Sequence, residues 1–229
     1  MTDTLPRFTS RQRAEHVLVM TTFTVLALTG FPQKFYDASW AHWIVSLFGG
    51  IERLRWIHRM TGLLFTLLTV SHVALVTLEV ATGRARASLV PARKDFSDAI
   101  LTLRYYLGLA DHPAAFDRFD YRQKFEYWGL LLGGVLMIVT GLILYLPLLA
   151  LRILPGEFIP AAKVAHSNEG LMAFLVVITW HIYNAHLSPD VFPFDTSIFT
   201  GRISRARMRH EHPLELERIE REEAAPQRR

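Results

Sequence analysis

The sequence predicts an all-α integral membrane protein, a four-helix transmembrane bundle with both termini in the cytoplasm. Three observations carry that expectation. Of the 229 residues, 51% are hydrophobic and 20% charged, and the two classes separate into blocks instead of interleaving as in a soluble domain. Four apolar blocks reach the roughly 20 residues that a helix needs to cross a hydrocarbon core. Arginine and lysine crowd the N-terminus and the 84–124 and 202–209 stretches, while 32–55 and 152–163 are shorter and less basic. Positive charge on alternate loops marks the loops kept in the cytoplasm.

Residues 1–13 form a polar lead-in carrying Arg7, Arg11 and Arg13 with no apolar run before them, so no signal peptide is expected to be cleaved. The spans are expected at 14–31, 56–80, 127–151 and 164–187. Residues 39–50 (SWAHWIVSLFGG) are apolar but too short to span; their tryptophans suit a helix lying at the outer interface. Residues 83–125 form the main cytoplasmic loop, with an amphipathic helix near 96–109. Pro147 falls near the end of the third span, where a kink is tolerable. Residues 188–229 leave the membrane through Ser188-Pro189-Asp190 and Phe192-Pro193-Phe194-Asp195 turns and end in a charged cytoplasmic helix and a disordered tail. The chain thus divides into a cytoplasmic N-terminus (1–13), a transmembrane domain (14–187) and a cytoplasmic C-terminal segment (188–229).

Cysteine is absent, which excludes disulfides, cysteine-held iron–sulfur clusters and covalently attached c-type haem in this chain. The pI near 9.6 follows from the basic loops and calls for no nucleic acid partner.

Six of the ten histidines fall in or at the edge of the spans: His16, His58, His72, His166, His181 and His186. Polar side chains inside a membrane are costly and mark function. His58 and His72 are 14 residues apart in the second span, and His166 and His181 are 15 apart in the fourth. At ~100° per residue each pair returns to within about 40–60° of one face, separated by about 21–22 Å along the axis. The second and fourth spans run in the same direction, so these four histidines form two layers, each able to supply the two axial imidazoles of a haem b. Zinc or copper would want three or four converging ligands. Glycines 30, 62, 133, 134, 141 and 170 let a macrocycle or a neighbouring helix approach. Arg59 is placed to pair a haem propionate.

The motifs Arg7-Phe8, Arg13-Ala14-Glu15-His16, Leu28-Thr29-Gly30, Ile57-His58 with Gly62, Gln123-Lys124 with Trp128, Thr140-Gly141, His166 with Gly170, His181-Ile182-Tyr183, Gly201-Arg202-Ile203-Ser204 and His212-Pro213 run along nearly the whole chain. Together they resemble the cytochrome b (gamma) subunits of membrane-bound formate dehydrogenases, a family that includes the cytochrome b subunits of nickel–iron hydrogenases. The resemblance implies electron transfer between a partner redox subunit and the quinone pool, with His58 and His166 holding an outer haem and His181 and His16 an inner one. His72 departs from that pattern. His58-Arg59, Gly62 and His72 are similar instead to the second helix of cytochrome b in quinol-oxidising bc-type complexes, which implies His72 and His181 for the inner haem. The matching spacings favour His72 over His16; a third haem on His16 and His186 ranks last.

The expectation is therefore a di-haem b cytochrome of the bacterial inner membrane, part of a hetero-oligomeric complex. It would exchange electrons with menaquinone or ubiquinone and with a periplasmic iron–sulfur subunit or multihaem c-type cytochrome. The alternative is a haem-containing anchor without a quinone site; a transporter would show broken helices and inverted repeats. The quinone is expected at the cytoplasmic end, near Asp120, Tyr121, Gln123 and Lys124 ahead of the third span and Asn184 and His186 at the end of the fourth. The cysteine-free chain makes the topology directly testable. Single cysteines introduced by Ser88→Cys and Glu217→Cys should react with an impermeant maleimide only from the cytoplasmic face, and those from Asp37→Cys and Gly156→Cys only from the outside; the reverse labelling overturns the orientation.

Overall fold

The computed structural model describes residues 3–189 and 191–225. Asp190 of the expected turn and residues 226–229 of the expected tail lie outside the described residues. Among the described residues, four helices are long and apolar enough to cross a membrane. They are α1 (Ser10–Lys34), α3 (Ile51–Ala81), α5 (Tyr121–Tyr145) and a fourth, Phe158–Leu187. The shortest has 25 residues, about 37 Å at 1.5 Å per residue, against a core of ~30 Å. The fourth begins as α7 (Phe158–Val176) and continues as two π-helical stretches, Val177–His181 and Tyr183–Leu187. The short α2 (Ser39–Leu47) stands where the sequence places the interfacial helix, and Gly49 and Gly50, at φ of 79° and 106°, turn the chain into α3.

The third span differs from expectation. It ends at Tyr145, and Pro147 opens a separate four-residue helix, α6 (Pro147–Ala150). Leu146 leaves the helical region (φ −121°, ψ 56°) because a residue before proline is pushed out of it, so the span stops ahead of Pro147.

The chain packs as two units, 11–79 with 130–195 and the described parts of Met1–Ser10, Val80–Gly129 and Thr196–Arg229. The first is the bundle. Its apolar side chains point outward, as Leu67, Leu132 and Leu175 do, while Thr22, Thr29 and Thr140 are buried. Where lipid solvates apolar surface, association between helices rests on packing and on polar groups held inside. Phe31 of α1 meets Phe174 of α7 edge to face at 4.8 Å, Phe65 of α3 lies against Gly134 of α5, and Lys34 donates to Asn168 Oδ1 at 2.7 Å.

The second unit joins three extramembrane stretches that the sequence reads separately. A pair of strands missed by the sequence reading, β1 (Thr4–Pro6) and β2 (Arg202–Ser204), runs antiparallel with Leu5 opposite Ile203. Three residues per strand are too few for an alternation to register. Leu5, Ile203, Met208 and Leu216 form the apolar centre. The loop helix α4 (Arg93–Tyr106) starts three residues before the expected 96 because the Asp95 carboxylate accepts the Ala92 N–H at 2.6 Å. After the four-residue α8 (Ser197–Thr200), α9 (Arg205–Glu211) and α10 (Pro213–Ala224) are separated at His212.

Arg7, 3% exposed, is ion-paired to the buried Glu215 and donates to Arg118 O at 2.6 Å and His212 Nε2 at 3.0 Å. His212 in turn donates Nδ1–H to Asp117 O at 2.8 Å. Burial, then the neighbouring Arg7 charge, push the His212 pKa down to about 4, partly offset by the Asp117 carbonyl, Glu215 and Asp120. The folded unit therefore holds His212 neutral, while the unfolded chain protonates it below about 6.5. Its contribution is fully present above pH 6.5 and is lost as pH falls toward 4, by about 2 kcal/mol at pH 5. Hydrogen exchange of amides in β2, α9 and α10 should show that weakening between pH 7 and 5, and His212→Gln should flatten it. An opening free energy independent of pH in the natural sequence would contradict the assignment.

Candidate functional site

Two pairs of imidazoles face each other inside the bundle. His58 of α3 and His166 of α7 have ring centroids 6.3 Å apart with planes at 80°. His16 of α1 and His181, in the first π-helical stretch, have centroids 6.1 Å apart with planes at 40°.

Each ring of the first pair is held by a Thr-Gly dipeptide on a neighbouring helix. Thr29 Oγ1 donates to Val25 O at 2.7 Å, so its contact with His58 Nδ1 at 2.9 Å makes the imidazole the donor. Thr140 Oγ1 donates to Leu136 O at 2.6 Å and accepts from His166 Nδ1 at 3.0 Å. With Nδ1 protonated, Nε2 carries the lone pair, the tautomer a metal ligand needs. The next residue makes room: a Cβ at Gly30 would stand 3.2 Å from His58 Cε1, and one at Gly141 would stand 3.1 Å from His166 Cε1. Sequence reading found these motifs but not this role, which appears only when α1 lies beside α3 and α5 beside α7.

The separations fit a shared metal. Two ring nitrogens each about 2.0–2.1 Å from a metal stand about 4 Å apart, and about 1.1 Å from each nitrogen to its ring centre brings the centroids to roughly 6.3 Å. Among the described residues no group of three or more His, Asp or Glu converges as a metal site, so the donor set is two imidazoles per level. That is the axial demand of a haem whose other four positions are filled by its own ring.

The π-helical stretch explains the alignment on the fourth helix. Fifteen regular steps would leave His181 about 60° from the face of His166. Eleven α steps followed by four π steps of ~82° (about 4.4 residues per turn) close the offset to about 12°. No such correction acts on α3, where fourteen regular steps leave His72 about 40° from the His58 face.

The structure brings His181 opposite His16, and not opposite His72. His72 Nδ1 is bonded to Glu15 Oε2 at 2.9 Å, and Arg11 ties Glu15 (2.7 Å) to Glu79. His16 and His186 are likewise not paired. His186 stacks on Phe194 (4.1 Å, 4°) and accepts the Asp195 N–H at 3.3 Å, so it supports the turn that follows the span. Arg59 lies over the Tyr145 ring at 5.6 Å. Asn184 donates to Trp180 O at 2.8 Å.

The residues before the third span are engaged within their own unit. Asp120 Oδ1 accepts Gln123 N–H at 2.8 Å while Gln123 Oε1 accepts Asp120 N–H at 3.1 Å, a reciprocal cap on α5. Asp120 also pairs with Arg122, Lys124 with Asp95 at 2.8 Å, and Tyr121 packs near Phe116.

Residues 7–189 match the family model described as prokaryotic cytochrome b561. Among curated proteins, the chain is 22% identical over 213 residues to the nitrate-inducible formate dehydrogenase cytochrome b556(Fdn) subunits of Escherichia coli (strain K12) and Shigella flexneri, covering 93% of this chain and 90% of theirs. It is 22% identical over 220 residues to the formate dehydrogenase cytochrome b556(fdo) subunit of Escherichia coli (strain K12), covering 92% and 91%. The family match takes in all four spans and all four facing histidines, so the chain belongs to the prokaryotic cytochrome b561 family, as a multi-pass, haem b-carrying electron-transfer protein of the bacterial cytoplasmic membrane.

Proposed function

We propose that the chain is the di-haem membrane subunit of a hetero-oligomeric oxidoreductase, carrying electrons between a periplasmic redox partner and the quinone pool. The observation that carries this reading is the pair of facing imidazole couples, at 6.3 and 6.1 Å, on two levels of one bundle. His58 and His166 hold the outer haem, and His16 and His181 the inner one. The levels are about 22 Å apart along the fourth helix, which suits electron transfer across the bilayer. The relatives' names support a complex: they are subunits of formate dehydrogenases.

Haem b supplies one-electron chemistry at each level when bound, and the protein supplies ligation, tuning and exclusion of water. Thr29 and Thr140 fix the outer imidazoles as Nδ1–H tautomers and, by accepting that proton's hydrogen bond, make Nε2 a stronger donor to the metal. Arg59 stands next to His58 as the counter-charge for a propionate. Quinone exchange belongs at the inner level, where Asn184 and His186 follow His181 on the same helix. The mutual bonds of Asp120, Gln123 and Lys124 make them structural supports for the start of α5 first, so the proposal leans on the bundle residues. Adding a quinol to the oxidised protein should reduce the inner haem before the outer; absence of any quinol-linked reduction favours the haem-containing anchor.

Pyridine haemochrome assay should give two non-covalent haems per chain. His58→Ala and His166→Ala should each remove one and the same low-spin signal, and His16→Ala and His181→Ala the other, while His72→Ala keeps both. One haem or none in the natural sequence, or loss of a haem in His72→Ala, contradicts the pairing. Thr29→Val and Thr140→Val should raise the midpoint potential of the outer haem alone, by about a tenfold shift in the oxidised-to-reduced ratio, ~59 mV for one electron. An equal shift at both haems, or none, removes the tuning role.

A further inference from the structure

One cluster in the bundle remains unexplained by haem ligation. His72 of α3 donates to Glu15 Oε2 of α1 at 2.9 Å, with side chains 29% and 23% exposed. Arg11 joins Glu15 to Glu79, so four ionisable groups bridge the start of α1 and the end of α3. His72 lies nine residues from the end of α3, about 13 Å inside the span. Ionisable side chains carried on membrane-spanning helices are costly and point to a function.

We propose that His72 is the residue that hydrogen-bonds the head of the quinol, with Glu15 as its positioning residue. This rests on the quinone reading above and gives it a location, the α1–α3 side of the inner level. Three points converge. The inner metal pair is complete without His72, since His181 faces His16. Donation of Nδ1–H to the Glu15 carboxylate fixes the ring so that Nε2 carries the lone pair, as an acceptor for a quinol hydroxyl must. Glu15 immediately precedes His16, so the carboxylate that positions His72 and the inner ligand are carried by consecutive residues of α1. The ligand class follows: a flat, apolar head arriving from the bilayer with a hydroxyl or carbonyl to bond.

Binding is measured on the full-length, haem-loaded protein by fluorescence quenching of heptyl-hydroxyquinoline N-oxide, a quinol analogue, with the visible spectrum recorded on each sample. In His72→Ala the dissociation constant should weaken about tenfold, the loss of one good hydrogen bond, with both haem spectra intact. Glu15→Leu, which removes the Nδ1 partner, should behave the same way, and Glu15→Gln, whose amide oxygen still accepts Nδ1–H, should stay within about threefold of the natural sequence. Unchanged binding in His72→Ala with intact spectra overturns the proposal and leaves the di-haem reading standing. Loss of a haem spectrum in His72→Ala makes the residue a ligand and overturns both this proposal and the inner pairing. Failure of the natural, haem-loaded protein to bind the probe at all overturns the quinone reading itself.

Discussion

The bundle is organised by one constraint: four imidazoles must be held face to face, about 6 Å apart, in a medium that solvates no polar group. A bare imidazole N–H in hydrocarbon costs several kcal/mol. In the outer pair that cost is met by threonines whose hydroxyls are already spent on their own helix, so the remaining lone pair is directed at the ring. The same device appears on α1 for α3 and on α5 for α7, each time followed by the glycine that admits the ring. Helix order and neighbour choice follow from it: α1 has to lie beside α3, and α5 beside α7, because the seats and the rings they hold are on different helices. The exposed aliphatic surface of α3 and the fourth helix is the other face of that arrangement, since contacts in the bundle are concentrated at polar and aromatic points and the aliphatic surface is left for lipid.

Much of this was legible in the sequence. The spans declare themselves by length and composition, and His58, His166 and His181 by being costly residues in apolar surroundings. The combined motifs indicated the family that the comparison then showed. The spacing count assumed regular helices throughout. The π-helical stretch around His181 rotates that residue by several tens of degrees, and nothing in Val177–His181 announces it. On α3 the regular count holds, and it leaves His72 off the shared face and bonded to Glu15. Spacing alone pointed to His72, whereas the resemblance to the formate dehydrogenase subunits implied His16, the residue whose ring lies opposite His181. The strands and the Arg7–Glu215–His212 network were invisible for another reason: they join residues some two hundred positions apart, a distance over which local pattern carries no information.

Polar side chains ahead of a span lend themselves to two readings. Asp120, Gln123 and Lys124 have the composition of a quinone site, and they also cap and anchor α5. Composition cannot separate these roles; hydrogen-bond partners can. His72 and Glu15 differ in kind: their mutual bond joins α3 to α1 and fixes the imidazole tautomer.

The two imidazole pairs differ in one measurable respect, the angle between their planes: 80° for His58 and His166, 40° for His16 and His181. Electron paramagnetic resonance of the oxidised protein reads that angle at each iron. Two low-spin ferric signals should appear, one strongly anisotropic, as near-perpendicular imidazoles produce, and one more rhombic, and Thr29→Val should perturb the first alone. A single signal, or a high-spin iron in the natural protein, would contradict two bis-histidine haems held between these four residues.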